Sequence, residues 1–122
     1  MVAGTGCDMI EIDRVKRACE KEAFLLRVYT EEERRLAGGR PSVLAGNFAV
    51  KEAVAKVLGT GFRSFMPGDV EVLRDELGRP YVRLYGNAAR IAEEKKIRQI
   101  QVSISNTKEY ALAFAVGEGE ET

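Results

Sequence analysis

Between Pro41-Ser42 and Gly59 the chain runs through Val43 to Leu58, a helical stretch that is apolar on almost every side. At 100° per residue Val43, Val50, Val54 and Val57 form one stripe, and Leu44, Phe48 and Ala55 carry it round. A helix with so little polar surface is buried, and 122 residues leave room for one core to bury it in. Gly59 stands at the C′ position that closes such a helix. Its polar side chains fall into two groups, each one turn apart: Asn47 with Lys51, and Glu52 with Lys56. Buried polar groups need a partner or a ligand. One partner for Glu52 is Lys56 itself, an i,i+4 pair worth ~0.2 to 0.5 kcal/mol on an exposed helix.

The flanking segments predict a small α+β domain with a mostly antiparallel sheet packed with helices. Val2 to Ile10, with Gly4 and Gly6 among apolar residues, reads as a strand, followed by a helix from about Asp13 to Val28. Thr30-Glu31-Glu32-Glu33 fits a capping box opening a short helix that ends near Gly38-Gly39. Val70 to Arg74 and Tyr81 to Leu84 read as a hairpin, Asn87 to Lys96 as a helix, and Gln101 to Ser105 and Tyr110 to Val116 as two closing strands. Tyr110 to Val116 is apolar on both faces, so its second face is covered either by the rest of the monomer or by another subunit. Residues 1–117 are expected as a single domain, with 118–122 a frayed acidic tail.

Lys and Arg together equal Asp and Glu, 19 of each, which excludes the global positive field of a nucleic-acid or membrane-surface binder. No stretch resembles a signal peptide or a span of about 18 apolar residues, so a cytoplasmic location is expected. Cys7 and Cys19 match neither a redox pair nor a zinc knuckle and read as reduced thiols. The chain has no histidine, which removes the commonest general base and the commonest transition-metal ligand together. Any metal would be held by oxygen, which points to magnesium or calcium.

Asp8 stands near the end of a glycine-containing strand that leads into a helix. It can cap that helix, or it can share one hard cation with Glu52. Two carboxylates match magnesium, which keeps several waters and is completed by substrate phosphate oxygens. Lys51 and Lys56 would then answer the remaining phosphate charge. Gly59-Thr60-Gly61 could cradle a phosphate through its amides, but reads first as a helix terminator.

Three stretches, Gly4-Thr5-Gly6-Cys7-Asp8-Met9-Ile10-Glu11-Ile12-Asp13-Arg14, Phe48-Ala49-Val50-Lys51-Glu52-Ala53-Val54-Ala55-Lys56 and Ser103-Ile104-Ser105-Asn106-Thr107-Lys108-Glu109-Tyr110-Ala111, resemble the motifs of holo-acyl-carrier-protein synthases. Leu77-Gly78-Arg79-Pro80-Tyr81-Val82 resembles that family's hairpin, so the likeness spans nearly the whole chain. It implies a 4′-phosphopantetheinyl transferase-like fold, assembled as a homotrimer with active sites between subunits. The implied reaction is attack by a serine of apo-acyl-carrier-protein on the β-phosphate of coenzyme A, with Mg2+ and release of adenosine 3′,5′-bisphosphate.

Carried over onto this sequence, the resemblance makes Asp8 and Glu52 metal ligands and sets Lys56 against the phosphates, so that Asp8, Glu52 and Lys56 are the catalytic set. Glu52 directly, or a water near Asp8, would take the serine proton, and Glu11 stays outside the metal site. Coenzyme A binding falls on Asn47, Lys51, Lys56, Asn106 and Thr107. An acidic carrier would dock on Arg14, which matches the motif, and on Arg17 and Lys21, placed by helix periodicity. At two positions the chain departs from the family: Asn47 stands where the pattern has Arg, and Asn106 where it has His. Both positions are associated there with the 3′-phosphate, so weaker discrimination against 3′-dephospho-coenzyme A is expected unless Arg40, Lys51 or Lys108 compensates. Two other readings remain: a transferase serving peptide- or polyketide-synthase carriers, usually about twice this length, and a coenzyme A or carrier binder without turnover.

Overall fold

The structure, a computed structural model, describes residues 1–120. At its centre is the long helix expected from the sequence, α4 (Pro41–Leu58) in chain order, with Pro at its first turn and Gly59 in the left-handed conformation (φ 80°) at its end. Ala49, Val50, Ala53, Val54 and Leu58 are all fully buried, as a helix apolar all round requires.

Strands β1 (Val2–Glu11), β4 (Ile97–Asn106) and β5 (Tyr110–Gly119) form one antiparallel sheet in the order β1-β5-β4. β2 (Val70–Arg74) and β3 (Pro80–Leu84) form a separate hairpin. The helix α5 (Gly86–Glu94) packs against β4 and α4. The α+β class and the antiparallel sheet therefore stand.

Small residues let the sheet approach α4 closely. A Cβ on Gly6 would lie 2.1 Å from the carbonyl oxygen of Ala53 and 2.9 Å from Cβ of Lys56. In β5 the residues facing the helix are Ala111, Ala113 and Ala115, each fully buried. Gly6 pairs with Ala115 and Asp8 with Ala113, so this contact sets where Asp8 meets α4.

Three expectations are corrected. The helix expected over 13–28 is two helices, α1 (Ile12–Cys19) and α2 (Glu22–Val28), with Lys21 extended between them (φ −88°, ψ 117°). The break turns Val15, Val28 and Tyr29 into one buried cluster, which periodicity along a single rod cannot reveal. It also ends the helical face on which Lys21 was placed with Arg14 and Arg17. The acidic tail does not begin at 118: β5 runs through Gly119, Glu118 pairs with both neighbouring strands, and Glu120 accepts from Arg98 at 2.8 Å. Main-chain bonds on two sides outweigh the weak strand propensity of Gly-Glu-Gly. Glu121 and Thr122, the rest of that tail, lie outside the described residues.

The capping box of α3 (Glu31–Ala37) is present, with Thr30 and Glu33 bonding reciprocally. Among the described residues no helix is long and apolar enough to cross a membrane. The outer face of the sheet is open among the described residues: Leu112 and Phe114 are each 43% exposed and Met9 64%.

Candidate active site

The two polar pairs of α4 have different fates. Neighbouring helix positions are about 100° apart, so Asn47 and Lys51 share one side while Glu52 and Lys56 share another. Glu52 and Lys56 face β1. Lys56 does not pair with Glu52 within 4.0 Å; its Nζ donates to the carbonyl of Cys7 at 2.6 Å and lies 3.7 Å from Asp8 Oδ1. The simple i,i+4 pair is therefore not what forms.

Asp8 and Glu52 line one groove of about 650 Å³, together with Glu11, Arg14, Phe24 and Phe48. Burial pushes the Asp8 carboxyl above its usual range, with Lys56 opposing. Burial also raises Glu52, the negative charge of Asp8 raises it further, and Lys56 again opposes. Burial is the first cause of both shifts, and two partly buried carboxylates opposed by one lysine have room for further positive charge. Their hard oxygens and the open groove fit a magnesium ion that keeps water and takes phosphate oxygens. Among the described residues no group of three or more candidate ligands occurs, so the pair would need those outside ligands.

Lys51 is the clearest correction among the expected coenzyme A contacts. It is fully buried, and its Nζ donates to Glu33 Oε1 at 2.8 Å, to the carbonyl of Pro67 at 3.0 Å and to that of Val70. With its three protons engaged it has none for a phosphate. Glu33, also fully buried, holds Thr30 N through the same oxygen at 3.0 Å. Asn47 is 2% exposed, and its Oδ1 accepts from Arg74 Nη2 at 2.8 Å. Arg74 escaped the sequence reading, since nothing at the end of a strand announces a partner on a distant helix.

The remaining expected residues lie on the turn between β4 and β5 and on the first two helices. Asn106 ends β4 and is exposed. Thr107 Oγ1 accepts from the amides of Glu109 (3.3 Å) and Tyr110 (3.0 Å), closing the turn. Gly59 terminates α4 as expected. Arg17 is exposed beside Asp13 (3.2 Å), and Arg17, Lys21, Phe24 and Arg27 border a groove of about 510 Å³. A larger groove of about 730 Å³ lies between β3, α5 and β4 and is lined by none of the candidate site residues.

Residues 4–115 match the family model of the 4′-phosphopantetheinyl transferase superfamily. The chain is 54% identical over 118 residues to a holo-[acyl-carrier-protein] synthase of Lachnoclostridium phytofermentans, covering 97% of each. The solved holo-[acyl-carrier-protein] synthase of Neisseria meningitidis superposes with a TM-score of 0.88 at 33% identity, over 97% of this chain and 99% of that one. That of Helicobacter pylori, in complex with coenzyme A, superposes at 0.83 and 27%, over 93% and 99%. With a family model matched across nearly its whole length and a full-length relative sharing over half its residues, the chain belongs to the 4′-phosphopantetheinyl transferase superfamily, and within it to the holo-acyl-carrier-protein synthases.

Proposed function

We propose that the Asp8–Glu52 groove transfers 4′-phosphopantetheine from coenzyme A to a serine of an apo-acyl-carrier-protein, releasing adenosine 3′,5′-bisphosphate. The observation that carries this reading is the pair of carboxylates with raised proton affinity beside a lysine, open to one groove. Asp8 and Glu52 would hold Mg2+, which when bound neutralises diphosphate charge and polarises the phosphoryl group. The serine oxygen forms the new bond to the β-phosphorus, and the bond from that phosphorus to the bridging oxygen breaks, its electron pair leaving with the nucleoside bisphosphate. Lys56, half-exposed and already aimed at Asp8, donates to a phosphate oxygen and stabilises the leaving charge. Glu52, directly or through water beside Asp8, takes the serine proton; burial brings its pKa closer to working pH, as a general base requires.

Arg14 lines the same groove, and Arg17 and Lys21 lie on the next one, so an acidic carrier approaching over α1 would bring its serine to the carboxylates. Asn47, Asn106 and Thr107 remain proposed contacts for the nucleotide end of coenzyme A. The open apolar face bearing Leu112 and Phe114 supports assembly as a homotrimer. Residues 1–120 act as one catalytic domain in this reading, and its substrates place it in the cytoplasm. Incubation with apo carrier, coenzyme A and Mg2+, followed by mass spectrometry of the carrier, should show the added phosphopantetheine mass. An unmodified carrier would refute the reading.

A further inference from the structure

The groove that holds Asp8 and Glu52 does not stop at α1. Ala18 and Phe24 line it and also line the groove bordered by Arg17, Lys21 and Arg27, so the two form one trough over α1 and α2. No acid lines the second groove, and of its three cations only Arg17 has a carboxylate within ion-pair distance among the described residues. Where α2 ends, the trough meets a corner of different character. Gly68, in the turn of 3-10 helix Pro67–Asp69, sits against the main-chain carbonyl of Arg27, to which a Cβ would come within 3.3 Å. The amides of Met66 and Tyr85 both donate to Asp69, the first to Oδ2 at 3.3 Å and the second to the carbonyl at 2.8 Å. The Tyr85 hydroxyl donates to Glu71 at 3.1 Å, and Glu71 also accepts from Thr30, just past α2, at 2.7 Å. These bonds gather Leu26, Met66 and Tyr85 at the end of α2, with 52%, 52% and 46% of their surfaces exposed.

Single exposed apolar side chains are ordinary, but three drawn to one corner at the end of a basic trough are the apolar half of a two-part docking surface. A trough over two helices is shaped for a third, and cations without acids call for acidic residues on it. We infer that Leu26, Met66 and Tyr85 are specificity-determining residues for the protein substrate, receiving the apolar side chains of a carrier helix whose acidic residues lie along Arg17, Lys21 and Arg27. This rests on the transfer reaction proposed above, which needs a protein to bring its serine to the Asp8–Glu52 groove. The two halves do different work. Arg17, Lys21 and Arg27 attract any acidic surface, whereas the corner accepts only one that also carries apolar side chains at the matching end, so it separates carriers from other acidic proteins.

The test is steady-state kinetics of the double variant Leu26→Ser, Met66→Ser with an apo-acyl-carrier-protein and coenzyme A, at low and high ionic strength. The KM for the carrier should rise about tenfold, while kcat, the KM for coenzyme A and the melting temperature stay nearly unchanged. Apolar contact is not screened, so the rise relative to wild type should persist at high salt, whereas that of Arg27→Glu should shrink. Leu26→Met, which keeps the corner apolar, should behave as wild type. An unchanged carrier KM in the double variant overturns the assignment, as does an equal rise for coenzyme A or a rise that fades with salt. A wild type that leaves the carrier unmodified would refute the transfer reading, and the assignment would fall with it.

Discussion

The two polar pairs of α4, Asn47 with Lys51 and Glu52 with Lys56, stand at the same spacing, yet Lys51 is closed in and Glu52 and Lys56 are open. Lys51 has a carboxylate and two carbonyls within bonding distance in a sealed interior. Glu52 and Lys56 sit in a groove where neither satisfies the other, and where Asp8 adds a second negative charge. Burying a charge is tolerable when it is paired, so Lys51, held by Glu33 and two carbonyls, fastens α4 to α3 and β2. The second leaves Glu52 partly buried beside Asp8 with Lys56 opposing, which suits the metal site proposed above.

The sharpest way to break the comparison is to truncate each pair in turn. Lys51→Ala should destabilise the fold by ~3 to 5 kcal/mol, because Glu33 would remain as a buried, unpaired charge. Glu52→Gln should reduce turnover by about a thousandfold or more, some 4 kcal/mol of barrier, while the melting temperature holds or rises. Chemical denaturation and carrier modification, measured on both variants, check this; a folded, inactive Lys51→Ala would dissolve the distinction.

Next in size is Gly6→Ala. Its Cβ cannot fit 2.1 Å from the Ala53 carbonyl, so β1 must lift from α4 and carry Asp8 with it. Overpacking of this kind costs about 1 to 3 kcal/mol, and activity should fall further than that loss of stability alone explains. Retained activity in a destabilised Gly6→Ala would show that the approach of β1 does not position the site.

Arg14→Glu should raise the KM for an acidic carrier by about tenfold, leave that for coenzyme A nearly unchanged, and flatten the salt dependence. Steady-state kinetics between low and high ionic strength decide it. A smaller effect concerns pH. Asp8 and Glu52 have folded-state pKa values above 3.8 and 4.5, so the stability they contribute is complete below those values and is lost as pH rises through the raised ones. Asp8→Asn should therefore raise the melting temperature slightly at pH 7 and not at pH 3, and Mg2+ should stabilise the wild type but not this variant. A melting curve that ignores both would show that burial does not hold the Asp8 carboxyl above its usual range.

The absence of histidine, the all-round apolar α4 and the capping box at Thr30 were legible in the chain, because each depends on residue type or on spacing within a turn or two. Burial of α4 followed from it having no polar side to show to water. The break at Lys21 was not legible, since a helix of 13–28 satisfies local periodicity, and only the joint packing of Val15, Val28 and Tyr29 ends it. Nor was the extension of β5 through Gly119, which needs two partner strands in place before its weak propensity is overruled. The fates of Lys51 and Asn47 were decided by tertiary structure alone. A lysine or an asparagine on a helix can turn to substrate or to protein with equal chemical ease. Whether Glu33, Val70 and Arg74, at 18, 19 and 27 residues' distance, arrive to meet them depends on how α3 and β2 pack against α4.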